Sequence, residues 1–227
     1  MRSIAKLMKD WQFTGPDGVT AAVALPHTWN AVDGQDGGND YWRGTCTYRT
    51  SFAAPAFDPA QQQVWLQFEG VNSSAAALLN GQQLCTHDGG YSTFRAEITG
   101  LLQAENQLTV QVDNSVNDRV YPQKADFTFY GGIYRDVSLL VVNKNHIALG
   151  HFGDTGVKIT PTLQENSADI QVETLVEGSG TVTVELLDAE GRTVAKGEGE
   201  NTFLHLDAPH LWNGVKDPYL YTCVVRL

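Results

Sequence analysis

Apolar residues in this chain recur at every second position, in short runs set apart by turn residues. Val64, Leu66 and Phe68 share one face of such a run. Leu108, Val110 and Val112 share another, against Thr109, Gln111 and Asp113, and Val182, Val184 and Leu186 share a third. Side chains alternate between faces at this period only in a strand, so the pattern builds sheets with one buried face. Ile170, Val172 and Val176 continue it. Turn signals such as Asp88-Gly-Gly90, Glu177-Gly-Ser-Gly180 and Asp188-Ala-Glu-Gly191 separate the runs, at the roughly 8–12-residue spacing of an antiparallel sandwich. Asn80-Gly81 is the strongest of them, because a type I′ hairpin turn needs positive φ at both central positions; it joins Ser73–Leu79 to Gln82–His87. Only Ile4 to Lys9 and a turn near Leu101 read as helical. The chain is expected to be all-β.

The run Val137 to Val142 is apolar but for Ser138 and reads as a buried strand. It ends in polar Asn143-Lys-Asn145, where the domain boundary is placed: a larger sandwich over 1–143, then a smaller immunoglobulin-like sandwich over 144–227. A chain of this length buries about 70% of its extended surface, so no staple is needed. Leu227 closes a good strand with no further strand to cover its edge, which proteins normally avoid. The chain is therefore expected to be part of something longer.

The formal charge is −11 and the pI near 4.8, with no basic stripe, so nucleic acid and anionic membrane are not expected partners. No apolar run reaches the length of a membrane span. Cys46, Cys85 and Cys223 lie far apart and are odd in number, which suits reduced thiols. The first ten residues show no secretory apolar core, so a cytoplasmic location is expected and the sequon Asn72-Ser-Ser74 reads as a chance match.

Catalytic signatures are missing. There is no nucleophile elbow, phosphate loop or dinucleotide fingerprint, and the six histidines show no zinc-binding spacing. The oxygen-rich loop Asp33 to Asp40 invites calcium, but an EF-hand begun at Asp33 would need Glu where Gly44 stands. Glu69, Glu97, Glu105, Glu165, Glu173, Glu185, Glu198 and Glu200 read as solvated. What remains is a set of aromatics in polar loops: Trp29, Tyr41, Trp42, Tyr91, Tyr121, Phe127, Phe129 and Tyr130. A sugar presents an apolar ring face and a rim of hydroxyls, which such surroundings suit. The densest stretch is Asp126 to Val137, where Asp126 stands beside Phe127 and Phe129 and Gly131-Gly132 permits a sharp turn.

Several stretches carry a resemblance. Pro26-His-Thr-Trp-Asn30, then Asp40-Tyr-Trp-Arg-Gly44 before Tyr48-Arg-x-x-Phe52, resembles the opening domain of glycoside hydrolase family 2. Phe68-Glu-Gly-Val71 with Leu79-Asn-Gly81 is similar to that family's next hairpin. Gly131-Gly-Ile-Tyr-Arg-Asp-Val137 resembles its most specific mark in this region, and Leu211-Trp212 with Pro218-Tyr-Leu-Tyr221 a late strand of its immunoglobulin-like domain.

The resemblance implies a jelly-roll (galactose-binding-like) sugar-binding domain, an immunoglobulin-like β-sandwich lacking its last strand, and a TIM barrel beyond Leu227. The family comprises retaining β-galactosidases, β-glucuronidases and β-mannosidases whose acid/base and nucleophile glutamates lie on the barrel. No catalytic residue is therefore expected here, and the chain alone is expected to be inactive. Asp126, six residues before Gly132, matches an aspartate that reaches the barrel mouth and contacts substrate hydroxyls. In some galactosidases that aspartate helps hold sodium. Asn39 and Asp40 resemble a second segment approaching the site. The expected partners are a β-linked sugar and the barrel of the same protein, in a homo-oligomer. No cofactor is expected in this chain, with magnesium and sodium in the whole enzyme. The loop Asp33 to Asp40 looks most like β-galactosidases. The alternatives are a β-glucuronidase or β-mannosidase portion, a free-standing carbohydrate-binding module, or a sandwich scaffold.

Overall fold

A computed structural model describes residues 2–31, 41–122 and 128–227. Two compact units emerge, Met1–Asn143 and Lys144–Leu227. Among the described residues the only helical element is a single 3-10 turn, Thr99–Leu101. The chain is all-β, a larger sandwich followed by a smaller one.

In the first unit a six-stranded antiparallel sheet runs in the order Thr20–Val23, Trp11–Thr14, Thr45–Ala53, Glu105–Asp113, Ser74–Leu79, Gln82–Asp88. A four-stranded sheet runs Ser3–Lys6, Val137–Asn143, Gln62–Phe68, Phe94–Glu97. Alternation does the work. Thr45–Ala53 turns Cys46, Tyr48, Thr50 and Phe52 inward, opposite Val112, Val110, Leu108 and Asn106 of Glu105–Asp113. Tyr48, Phe52, Leu108, Val110 and Val112 meet Leu66, Phe68, Val137 and Leu139 from the other sheet in one apolar core, each large side chain contributing about 1.5–3 kcal/mol. Val137–Asn143 is buried at its first six positions and is paired on both sides, which explains why it is apolar there at every position but Ser138. Asn80 and Gly81 take φ of 52° and 83°, the positive pair that the hairpin requires.

Two local expectations are corrected. Ile4 to Lys9 is not helical: Ser3–Lys6 is a strand paired with Val137–Asn143, and Leu7 N–H extends the ladder to the Val137 carbonyl at 2.8 Å. One turn of helix cannot compete with a ladder to a fixed neighbour. The late strand expected over Leu211 to Tyr221 is a loop, closed by the Asn213–Asp217 bridge and by His210 Nε2 on Asp217 Oδ2 at 2.6 Å. Pro218 has no N–H to give a ladder, and the strand starts only at Thr222.

The second unit packs Val157–Leu163, Ser167–Thr174 and Asn201–Asp207 in one sheet and Thr193–Glu198, Thr183–Leu187 and Thr222–Arg226 in another. Ile170, Val172, Val184, Leu186 and Leu204 form its core. Val176 sits beyond Ser167–Thr174 in the short strand Val176–Glu177, which pairs His146–Ile147.

Candidate functional site

A hollow of about 470 Å³ opens in the first unit, lined by Thr28, Asn72, Tyr91, Thr128, Tyr130 and Tyr134. Its walls come from four separate stretches, and the local sequence explains how each is held. Gly131 and Gly132 let the chain pass close beneath the aromatic segment. A Cβ on Gly131 would lie 2.1 Å from the Trp29 ring, and one on Gly132, which has φ +139°, would lie 2.4 Å from the His27 carbonyl. The short strand Gly132–Ile133 then pairs with Val71–Asn72, placing Tyr130 beside Asn72. Asn72 is buried, 4% exposed, and donates from Nδ2 to the Tyr130 carbonyl at 2.8 Å. A side chain so placed is no glycan acceptor in the folded chain.

The opposite wall is fixed by Arg135. Its guanidinium donates to the Tyr91 carbonyl at 3.2 Å and sits 5.5 Å from the centre of the Tyr134 ring. The Tyr134 hydroxyl donates to the Gly90 carbonyl. Burial pushes the Tyr134 phenol up, partly offset by Arg135. Tyr91 is 54% exposed and Tyr130 is 41% exposed, so both rings face solvent while their backbones are tied down. That pairing of rigid support and exposed ring suits recognition of a molecule with an apolar face and a polar rim. Uncharged hydroxyls and one amide supply the polar groups.

Of the aromatics singled out in the sequence, the structure brings Tyr91 and Tyr130 together. Trp29 and Phe129 serve packing: Trp29 stacks on Phe13 at 6.0 Å and meets Trp42 edge-on, and Phe129 is buried under the Arg43 guanidinium at 5.5 Å. Tyr41 accepts a hydrogen bond from Arg43. Tyr121 is exposed and outside the hollow. Asp126, Asn39, Asp40 and Phe127, with the loop Asp33 to Asp40, lie outside the described residues. Tyr134, Thr28, Thr128 and Asn72 were not among the sequence candidates. Tyr134 sits inside the very motif that marks the region, where its neighbours drew attention away from it.

None of the glutamates named above is buried, and Glu173 and Glu185 are ion-paired with Lys158 and Arg226. Among the described residues no cluster of three or more His, Cys, Asp or Glu is placed to hold a metal ion. The cysteines are free thiols. No described helix is long and apolar enough to cross a membrane.

Residues 37–162 match the family model of the glycosyl hydrolase 2 galactose-binding domain-like fold, and residues 151–227 match glycosyl hydrolases family 2. The chain is similar to a β-glucuronidase of Bacteroides fragilis, 32% identical over 97% of this chain and 35% of the relative. It is also similar to a β-galactosidase of Bacteroides ovatus, 31% identical over 96% of this chain and 29% of the relative. The crystal structure of an FMN-binding β-glucuronidase from Facaelibacterium prausnitzii L2-6 superposes with a TM-score of 0.91 at 35% identity. That match covers 100% of this chain and 37% of the other. The chain thus spans about a third of the length of the curated relatives it matches.

Proposed function

The chain belongs to glycoside hydrolase family 2, and from that premise we propose that residues 1–227 form the non-catalytic N-terminal portion of a retaining β-glycosidase. In this reading the tyrosine hollow meets the substrate sugar, and the reacting carboxylates belong to a barrel further along the protein. The observation that carries it is the set Tyr91, Tyr130 and Tyr134 around Asn72, with the Tyr91 and Tyr130 rings exposed on a clamped backbone. Asp126, Asn39 and Asp40 are proposed to reach the same substrate.

The sugar is proposed to be a terminal β-galactoside, which the described lining of the hollow suits: Thr28, Asn72, Thr128 and the three tyrosines carry no cation for a carboxylate. A β-glucuronide is the second reading, favoured by the likeness to the B. fragilis and F. prausnitzii enzymes. Magnesium and sodium, a homo-oligomeric state and a cytoplasmic location belong to the same proposal for the whole enzyme. There Asp126 is the one sodium contact expected from this chain, and the magnesium ligands are expected outside it.

Assays of the purified 227-residue chain with nitrophenyl β-galactoside and β-glucuronide test the division of labour. No turnover is expected, and turnover by the pure chain overturns it. In the whole enzyme the ratio of specificity constants for the two substrates decides between the sugars. Asp126→Ala is expected to lower the specificity constant by the equivalent of about 1–3 kcal/mol, the scale of a hydrogen bond to a charged group. An unchanged constant removes Asp126 from the site.

A further inference from the structure

The peptide between Tyr130 and Gly131 is gripped at both poles by buried side-chain amides. Its carbonyl accepts from Asn72 Nδ2 at 2.8 Å, and its N–H donates to Asn30 Oδ1 at 2.7 Å. The next carbonyl, that of Gly131, accepts from Thr28 Oγ1 at 2.8 Å. Asn72 and Thr28 line the hollow; Asn30 does not, and is 0% exposed.

Asn30 also reaches away from this peptide. Its Nδ2 donates to the Trp42 carbonyl at 2.9 Å, and its Oδ1 accepts a second bond from Asn114 Nδ2 at 3.1 Å. Asn114, 3% exposed, accepts from Gly44 N–H at 2.9 Å through Oδ1, and its own N–H donates to the Gly44 carbonyl at 3.2 Å. Two buried asparagines thus tie together residues 28–30, 42–44 and 129–131, which lie far apart in the chain. A carboxamide donates and accepts from one rigid plane, which neither a hydroxyl nor an ionised carboxylate does, so neither Ser nor Asp reproduces the full set of contacts. Such a buried network is tolerable because its members are bonded.

We infer that Asn30, braced by Asn114, is a positioning residue for the hollow: it fixes the Tyr130–Gly131 peptide and so aims the Tyr130 ring at the bound sugar. The activity side of this inference rests on the proposed function; the clamp itself rests on geometry alone. A purely structural role would stabilise the unit without coupling Asn30 to Tyr130.

Two readouts separate these cases. The first is amide hydrogen exchange of Gly131 in the 227-residue chain, read by NMR in Asn30→Ala and Asn30→Asp. Asn30→Ala is expected to speed Gly131 exchange by on the order of a hundredfold while Val110 in the core sheet stays protected, because only the local bond is opened. Asn30→Asp keeps an acceptor for Gly131 and is expected to keep its protection. The second is kinetics in the whole enzyme. Asn30→Ala is expected to lower kcat/KM by up to about tenfold, and adding Tyr130→Ala to it is expected to take the double variant no further than the Tyr130→Ala loss alone, since both act through one ring. Unchanged Gly131 exchange in Asn30→Ala, or losses from the two substitutions that simply add, overturns the inference. Should Asn30→Ala fail to fold, Asn114→Ala removes the brace, together with its bonds to Gly44 and Phe129, but leaves the Asn30–Gly131 bond, and carries the same comparisons with a smaller change. If Gly131 loses protection while Tyr130→Ala leaves the enzyme fully active, the clamp stands and the sugar-contact reading falls.

Discussion

One methyl group at Gly131 tests how tightly the floor of the hollow is built. A Cβ there would stand 2.1, 2.5 and 2.7 Å from Cζ2, Cε2 and Cη2 of Trp29, well inside van der Waals contact. The indole has no simple escape. It is stacked on Phe13 and set edge-on to Trp42, both at 6.0 Å between centroids. Either that aromatic packing or the 129–132 backbone must shift. Overpacking of this kind costs about 1–3 kcal/mol. A backbone shift also loosens the bonds from Gly131 to Asn30 and Thr28, at about 0.5–1.5 kcal/mol each. The sum is about 2–6 kcal/mol. For a unit of this size each kcal/mol moves Tm by about 3 °C, so Gly131→Ala should lower the first unit's Tm by about 6–18 °C in scanning calorimetry. Gly100→Ala is the control, since a Cβ there meets nothing within 4 Å and the residue does not hold a positive φ. It should stay within about 0.5 kcal/mol of wild type. Equal melting temperatures for the two variants would refute the steric argument.

Three further outcomes are expected. Asn80→Ala should lose about 2–4 kcal/mol in urea unfolding, because Asn80 holds φ 52° and bonds Leu101, Asn106 and Gln107 at 2.9–3.1 Å; Asn80→Gly, which relieves the backbone, should lose less, and the reverse order contradicts the account. NMR titration should place His205, raised by its hydrogen bond to Asp169 at 2.6 Å, above 6.5, and His27, lowered by burial, below it; the opposite order counts against both environments. By linkage the His205 contribution is fully present below its unfolded pKa and lost as pH rises through the folded value, whereas that of His27 is present above its unfolded pKa and lost as pH falls through the folded value. Burial pushes the Cys46 thiol up to about 12, so iodoacetamide at pH 8 should label Cys46 only after unfolding, and equal labelling of native and unfolded chain is the contrary result.

The sheet architecture was legible because alternation is a local signal: Leu108, Val110 and Val112 show their burial without any knowledge of Tyr48 opposite. Asn80-Gly81 was legible for the same reason. Ser3–Lys6 was not, since its strand character comes from pairing with Val137–Asn143 more than 130 residues away. Leu211 to Tyr221 misled in the other direction, as apolar residues there lie largely exposed in a loop. The hollow was half legible. Tyr91 and Tyr130 stood out as aromatics among turn residues, but Thr28, Asn72 and Tyr134 join them only through the fold. Asn30 was visible as one polar residue closing Pro26-His-Thr-Trp-Asn30, with nothing along the chain to tell that it grips a glycine 101 positions later.

The central claim is that the hollow touches substrate. The direct measurement is kcat/KM of the whole enzyme carrying Tyr130→Ala, beside Phe203→Ala, which removes a ring 70% exposed in the second unit. Loss of a contacting wall of about 1.4 kcal/mol predicts about a tenfold fall for Tyr130→Ala and no change for Phe203→Ala. A Tyr130→Ala enzyme with the specificity constant of the wild type would contradict the assignment of this hollow to the sugar.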